Sequence, residues 1–252
     1  MGRNGALWCV GWDVGGWNCD RNVRSRDALV ILDAGKALVG RPWRGNLRET
    51  INTSRAAWDW ISALFHHCGA APPPPQARVV LAIDTPLGFS EALLALAGEL
   101  RAAGPVGVHA DNPYLHRLTE RHLMRHGLRP LSPLKDMIGS QATKGMHVLA
   151  RFAPRIGACG VWTDGAGTLT AIETYPAGCR RSRHLGSLRA RMPPMPGPDE
   201  EDALLCALVA WLYAFHRGRL APPPVDAPER EGWIWLPCDA LDGGWVSATA
   251  DG

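Results

Sequence analysis

The chain alternates between short apolar runs that end in an acid and longer segments with helical periodicity. Ala6 to Trp12 are apolar or small and lead into Asp13-Val14-Gly15-Gly16, a buried first strand closed by a double glycine. Ala28 to Asp33 and Ala37 to Gly40 predict two further strands. Asp33-Ala34-Gly35-Lys36 joins them as a hairpin turn, with Gly35 suited to positive φ. Thr53-Ser54 predicts the N-cap of a helix from Arg55 to His67, where Ala57, Trp60, Ile61, Leu64 and Phe65 recur at helical spacing. Pro72 to Pro75 form a stiff connector. Ala77 to Asp84 is a second continuous apolar strand, the pattern of a central strand covered on both faces.

Beyond Thr85-Pro86-Leu87-Gly88 the pattern predicts helices from Ser90-Glu91 through Ala103, from Asn112-Pro113 to His126, and from Ile138 to Phe152. Gly160 to Asp164 and Thr168 to Tyr175 predict paired strands around Gly165-Ala166-Gly167, ended by Pro176. After the proline-rich loop from Pro193 to Pro198, Asp199-Glu200-Glu201-Asp202 opens a helix to about Arg217. That helix is apolar on every face from Ala203 to Phe215 and so belongs deep in the core. Gly232 to Pro237 predicts a last strand. Without a linker or an internal repeat, this order predicts one α/β domain over residues 1–252. Its mixed central sheet would have three antiparallel strands followed by parallel ones, flanked by helices, with a mainly helical insertion at about 90–155.

At 252 residues, 46% hydrophobic and 20% charged, the chain can bury a full core. No apolar run reaches the roughly 18 residues that span a bilayer, so no membrane partner is expected. Met1 to Gly5 lead into the first strand without a signal-peptide pattern. Seven cysteines with no C-x-x-C pair indicate neither a disulfide framework nor a zinc ribbon, and the expected location is the reducing cytoplasm.

The net charge of +3 says less than its distribution. Arg180, Arg181, Arg183, Arg189 and Arg191 fall within twelve residues, and Arg117, Arg121, Arg125 and Arg129 lie close together with three histidines. Solvated helix faces carry such charges. So do surfaces that hold nucleic-acid phosphates, for which Arg180, Arg181, Arg183, Arg117 and Arg121 are the candidates.

Five acids call for an explanation. Asp13 and Asp84 end apolar strands, each sharing a face with small residues: Gly11 and Cys9 for the first, Ala82 and Val80 for the second. Glu173 lies near the end of a third strand, and Asp202 is the first inward-capable position of the buried helix. Helix capping accounts for Asp199 and partly for Asp202, and a cap or an ion pair also accounts for a single acid at a strand end. Three acid-ended central elements in one chain instead point to a shared cation. Clustered carboxylates repel unless a divalent ion compensates. Oxygen-only sets suit Mg²⁺ or Mn²⁺. Two such ions about 4 Å apart activate a water and stabilise the leaving oxygen in phosphodiester hydrolysis.

The arrangement resembles the RNase H-like superfamily. More narrowly, it resembles a bacterial and archaeal domain family of unknown function whose members are predicted RNase H-like nucleases. The matching pieces are Gly11-Trp12-Asp13-Val14-Gly15-Gly16, Ala82-Ile83-Asp84-Thr85-Pro86-Leu87-Gly88-Phe89 and Arg117-Leu118-Thr119-Glu120. They continue with Ile172-Glu173-Thr174-Tyr175-Pro176-Ala177, Asp199-x-x-Asp202-Ala203 and Glu231-Gly232-Trp233-Ile234, in order over nearly the whole chain. The resemblance implies that Asp13, Asp84 and Asp202 ligate metal, with Glu173 and Asp199 as further candidates, and that the activity is metal-dependent cleavage of DNA or RNA. Arg117 and Glu120 belong to the pattern without an assigned role.

Two other readings stand beside it. Asp13-Val14-Gly15-Gly16 also resembles the first phosphate loop of sugar-kinase and actin-like phosphotransferases, although a second Asp-x-Gly loop is missing. A non-catalytic nucleic-acid binder of the same fold is the other. Ser–His–Asp catalysis has no G-x-S-x-G elbow to rest on.

Overall fold

β1 (Leu7–Asp13) is an interior strand of the sheet, with partners on both sides. In the computed structural model, which describes residues 6–242 except Val23, β2 (Asp27–Leu32) pairs antiparallel with β1, and β3 (Trp43–Gly45) pairs antiparallel with β2. On its other side β1 pairs in parallel with β4 (Arg78–Asp84). β7 (Leu169–Glu173) is parallel to β4 and is followed by the antiparallel β6 (Val161–Thr163) and β5 (Arg155–Ala158). The sheet order is therefore β3-β2-β1-β4-β7-β6-β5: a seven-stranded mixed sheet in an α/β fold, with three antiparallel strands leading into parallel ones. The parallel pairs occupy the middle, where both faces are covered, and this is why β1 and β4 read as continuous apolar runs.

Helices cover both faces. α2 (Ala57–His67) and α5 (Gly139–Phe152) pack on the side of Val10, Trp12, Leu81 and Ile83. The opposite face, with Cys9, Val80 and Ala82, takes α8 (Pro198–Phe215), which is buried without interruption from Ala203 to Leu212. Gly11 sets how closely α8 approaches. A Cβ at this position would lie 1.9 Å from the Ala203 carbonyl oxygen and 2.4 Å from the Ala207 nitrogen, so helix backbone rests on strand backbone. That contact brings the first turns of α8, and Asp202 with them, to the C-terminal end of β1.

Several expectations shift. Residues 37–40 form only a bridge from Leu38 to Leu32, and the paired third strand is β3, further along. In the preceding turn the positive φ falls on Lys36, while Gly35 is not in that region; the Asp33 carboxylate and carbonyl accept from Ala37 and Lys36 and close the loop. Ser54 ends a short helix, α1 (Arg48–Thr53), and its hydroxyl donates to the Thr50 carbonyl, so it does not cap α2. The Asp59 carboxylate satisfies the Arg55 and Ala56 amides there instead.

The segment expected as a helical insertion contains α3 (Glu91–Glu99), α4 (Leu118–Arg125) and α5, with the first two shorter than their patterns predict. Residues 232–237 give two bridges, Glu173 to Ile234 and Leu220 to Pro237, in place of a full strand. Met1 to Gly5, where the absence of a signal-peptide pattern was noted, lie outside the described residues. Among the described residues no helix is long and apolar enough to cross a membrane.

Candidate active site

β1 and β4 run parallel and end in register, so Asp13 and Asp84 are directly opposed across one strand spacing, about 4.8 Å between backbones. Both project on the α8 face, where Gly11 and Ala82 leave space beside them. Asp202, on α8, lines the same cleft. The cleft holds about 380 Å³ and is lined by these three acids and Glu173 together with Pro86, Pro130, Leu131, Ile138 and Tyr175.

Electrostatics set these acids apart from ordinary surface carboxylates. Burial, reinforced by Asp84 and Asp202, pushes the Asp13 carboxyl well above the usual carboxylate range. Asp84 is pushed up to about 8, first by burial and then by Asp202 and Glu173, with Arg180 acting in the opposite sense. Asp202 is also raised, mainly by burial, against the pull of the Arg180 guanidinium 2.6 Å away. A cleft that holds adjacent carboxyls partly protonated near neutral pH is a place where a cation gains strongly by binding.

Glu173 also lines the cleft, but its carboxylate is already committed. Its register partner on β4 is Ile83, so it projects from the opposite face of the sheet from Asp84. There it accepts from the Leu87 amide at 2.9 Å and from Arg117 at 2.8 Å. Arg117 also pairs with Glu120, donates to the Glu231 carbonyl, and is only 1% exposed. The expectation that Arg117 contacts nucleic acid is therefore corrected: its guanidinium is consumed by two buried carboxylates. Asp199 is likewise engaged, accepting from the Arg44 guanidinium at 2.7 Å and from the Arg26 amide, toward the β2–β3 edge. It occupies the second position of α8, behind Gly197 and Pro198, and does not cap the helix.

The other arginines divide by environment. Arg183 is exposed at the start of α7 (Arg183–Arg189). Arg181 donates to the His126 carbonyl at 3.0 Å, and Arg121 is half-buried in α4. Arg180 reaches the Asp202 carboxylate at 2.6 Å while about half of its side chain stays exposed.

Among the described residues no group of three or more His, Cys, Asp or Glu side chains is set as a ready-made metal cage. The donor chemistry nevertheless fits a hard divalent ion. Mg²⁺ keeps several waters and is held by one or two carboxylates plus substrate phosphate, and Asp13 and Asp84 supply that pair. Asp202, the third candidate donor, is paired with Arg180 in this structure.

Sequence reasoning missed a supporting pair. Lys144 of α5 is 0% exposed; its ammonium is bonded to Asp27 and lies 3.4 Å from the Gly15 and Gly16 carbonyls. Asp27 also accepts from the Trp12 indole, the Gly15 amide and the Leu47 amide. This network fixes the double-glycine loop immediately after Asp13. The signal was present: Lys144 falls in the apolar stripe of α5 with Val148 and Phe152, and Asp27 heads an apolar strand.

No family model matches the chain, and neither do any curated protein or solved structure.

Proposed function

We propose that the protein is a metal-dependent nuclease of RNase H-like fold, hydrolysing phosphodiester bonds of DNA or RNA. The observation that carries this reading is the register pairing of Asp13 with Asp84 on adjacent parallel strands, with Asp202 of α8 lining the same cleft. A sheet order of three antiparallel strands followed by a parallel fourth, with acids on the first, the fourth and a late helix, is what the resemblance implies for that superfamily.

In this reading Asp13 and Asp84 would hold Mg²⁺ or Mn²⁺, and Asp202 would join them by exchanging its Arg180 partner. The ion supplies charge for the scissile phosphate and lowers the pKa of a bound water. The protein's own residues do the rest. Burial of the acids keeps their interaction with any cation strong. The Lys144–Asp27 network holds the loop after Asp13 in place. Arg183, exposed at the start of α7, would meet backbone phosphates, and Arg180, once released, would do the same.

The test is calorimetric titration of Mn²⁺ into wild type and Asp84→Asn, with cleavage of labelled DNA and RNA followed in parallel. Saturable binding in wild type, weakened at least about tenfold by the substitution and accompanied by polynucleotide cleavage, is expected. Turnover of ATP with a small acceptor, without cleavage of any polynucleotide, would replace this reading with a phosphotransferase. Saturable binding of polynucleotide without turnover of either kind would leave a non-catalytic binder.

A further inference from the structure

The cleft has an uncharged part of its lining that phosphodiester chemistry alone does not require. Besides the acids it is lined by Tyr175, Pro86, Pro130, Leu131 and Ile138, which bear no charge. The Tyr175 hydroxyl donates to the Arg129 carbonyl at 3.0 Å, which pins the ring against the segment that continues into Pro130 and Leu131. Leu131 is about half exposed, so its side chain is accessible to a ligand in the cleft.

Thr85 also lines the cleft; it is 5% exposed and its hydroxyl has no hydrogen-bond partner in the protein. Its methyl is committed to α5, since a Cβ built on Gly145 would fall 2.5 Å from Thr85 Cγ2. A buried hydroxyl without a partner costs stability, and replacing it with a shape-matched apolar group is neutral or favourable for the fold. Its place on the cleft wall calls for a reason other than packing.

Volume limits what can enter. A cavity of about 380 Å³ is at the small end of ligand sites, which run from about 300 to 1,000 Å³. It admits one monomer unit of a nucleic acid, whereas a stacked base pair would have to lie across its mouth.

We propose that the cleft takes a single unpaired nucleotide of a polynucleotide, its phosphate toward Asp13 and Asp84, its base against Tyr175 and Leu131, and a polar edge on the Thr85 hydroxyl. This inference rests on the nuclease reading and narrows its substrate to single strands, ends or extruded nucleotides. Stacking on one aromatic ring contributes enough to change affinity by about tenfold or more per base. Extruding a base from an intact duplex costs a few kcal/mol, so paired substrates are disfavoured.

The experiment compares a short labelled single strand, the same strand in a blunt duplex, and that duplex with one bulged nucleotide, all with Mn²⁺. Wild type is expected to bind and cleave the single strand and the bulge at least about tenfold better than the blunt duplex. Tyr175→Leu should lose about tenfold in single-strand affinity, and Tyr175→Phe much less. Thr85→Val should lose affinity while its melting temperature stays equal or rises, an outcome that a packing role does not give. Equal cleavage of the blunt duplex, or unchanged single-strand affinity in both Tyr175→Leu and Thr85→Val, would overturn this inference and leave the nuclease reading standing. No cleavage of any strand by wild type would overturn both.

Discussion

Asp13 and Asp84 are register partners at the last positions of two adjacent parallel strands, on the same face of the sheet. Two carboxylates in that relation cannot both be charged cheaply, and Asp202 adds a third lining the same cleft. Their mutual repulsion in the metal-free protein and its relief by a cation are two aspects of one arrangement.

The first consequence is a pH dependence opposite to that of a salt-bridged acid. The folded protein holds the Asp84 proton up to about 8, whereas the unfolded chain releases it near ~4. Between those values the folded state binds more protons, so the metal-free protein loses stability as pH rises through this window and levels off above it. Thermal melts in chelator across that range should show the decline, with a shallower slope in Asp84→Asn. Mn²⁺ binding, which displaces the same proton, should tighten as pH rises over the same window.

Arg117 is expected to act on stability and not on nucleic-acid affinity. Arg117→Met leaves Glu120 and Glu173 buried without their cation and should cost about 3–5 kcal/mol in denaturant unfolding. Arg183→Ala, at an exposed position, should leave stability unchanged and reduce the salt dependence of polynucleotide binding by about one unit of slope.

Removing one side of the Lys144–Asp27 pair should likewise destabilise strongly. Lys144→Met leaves Asp27 uncompensated at full burial, with an expected loss of about 3–5 kcal/mol by chemical denaturation. Asp27→Asn keeps the acceptor for the Gly15 and Leu47 amides on one oxygen only and strands the ammonium, so it should also unfold earlier. In either folded variant the loop after Asp13 loses its anchor, and metal affinity should fall although neither side chain belongs to the proposed ligand set.

The sequence exposed the architecture because its central elements are extreme. β1, β4 and α8 are apolar without interruption, and only full burial accommodates that. Asp13, Asp84 and Asp202 were legible for the same reason: an acid terminating such a run contrasts with its neighbours. Peripheral elements were less legible. The expected strand at 37–40 returns beside β2 but is reduced to a bridge at Leu38, and the paired third strand is β3. Glu173 resembled the other strand-end acids in pattern. Only the register, which pairs it with Ile83, shows that it projects from the other face and meets Arg117. Arg117 looked like one more surface arginine in a basic segment, because burial by residues from β7 and from 229–231 is a long-range contact.

The central claim is that the paired strand acids carry metal-dependent phosphodiester hydrolysis. Its most direct test is an assay with labelled DNA and RNA under Mg²⁺ and Mn²⁺, comparing wild type with Asp13→Asn and Asp84→Asn after each variant is shown by thermal melting to be folded. Metal-dependent cleavage by wild type, lost in both variants, is the predicted result. Cleavage that persists in both would contradict the account.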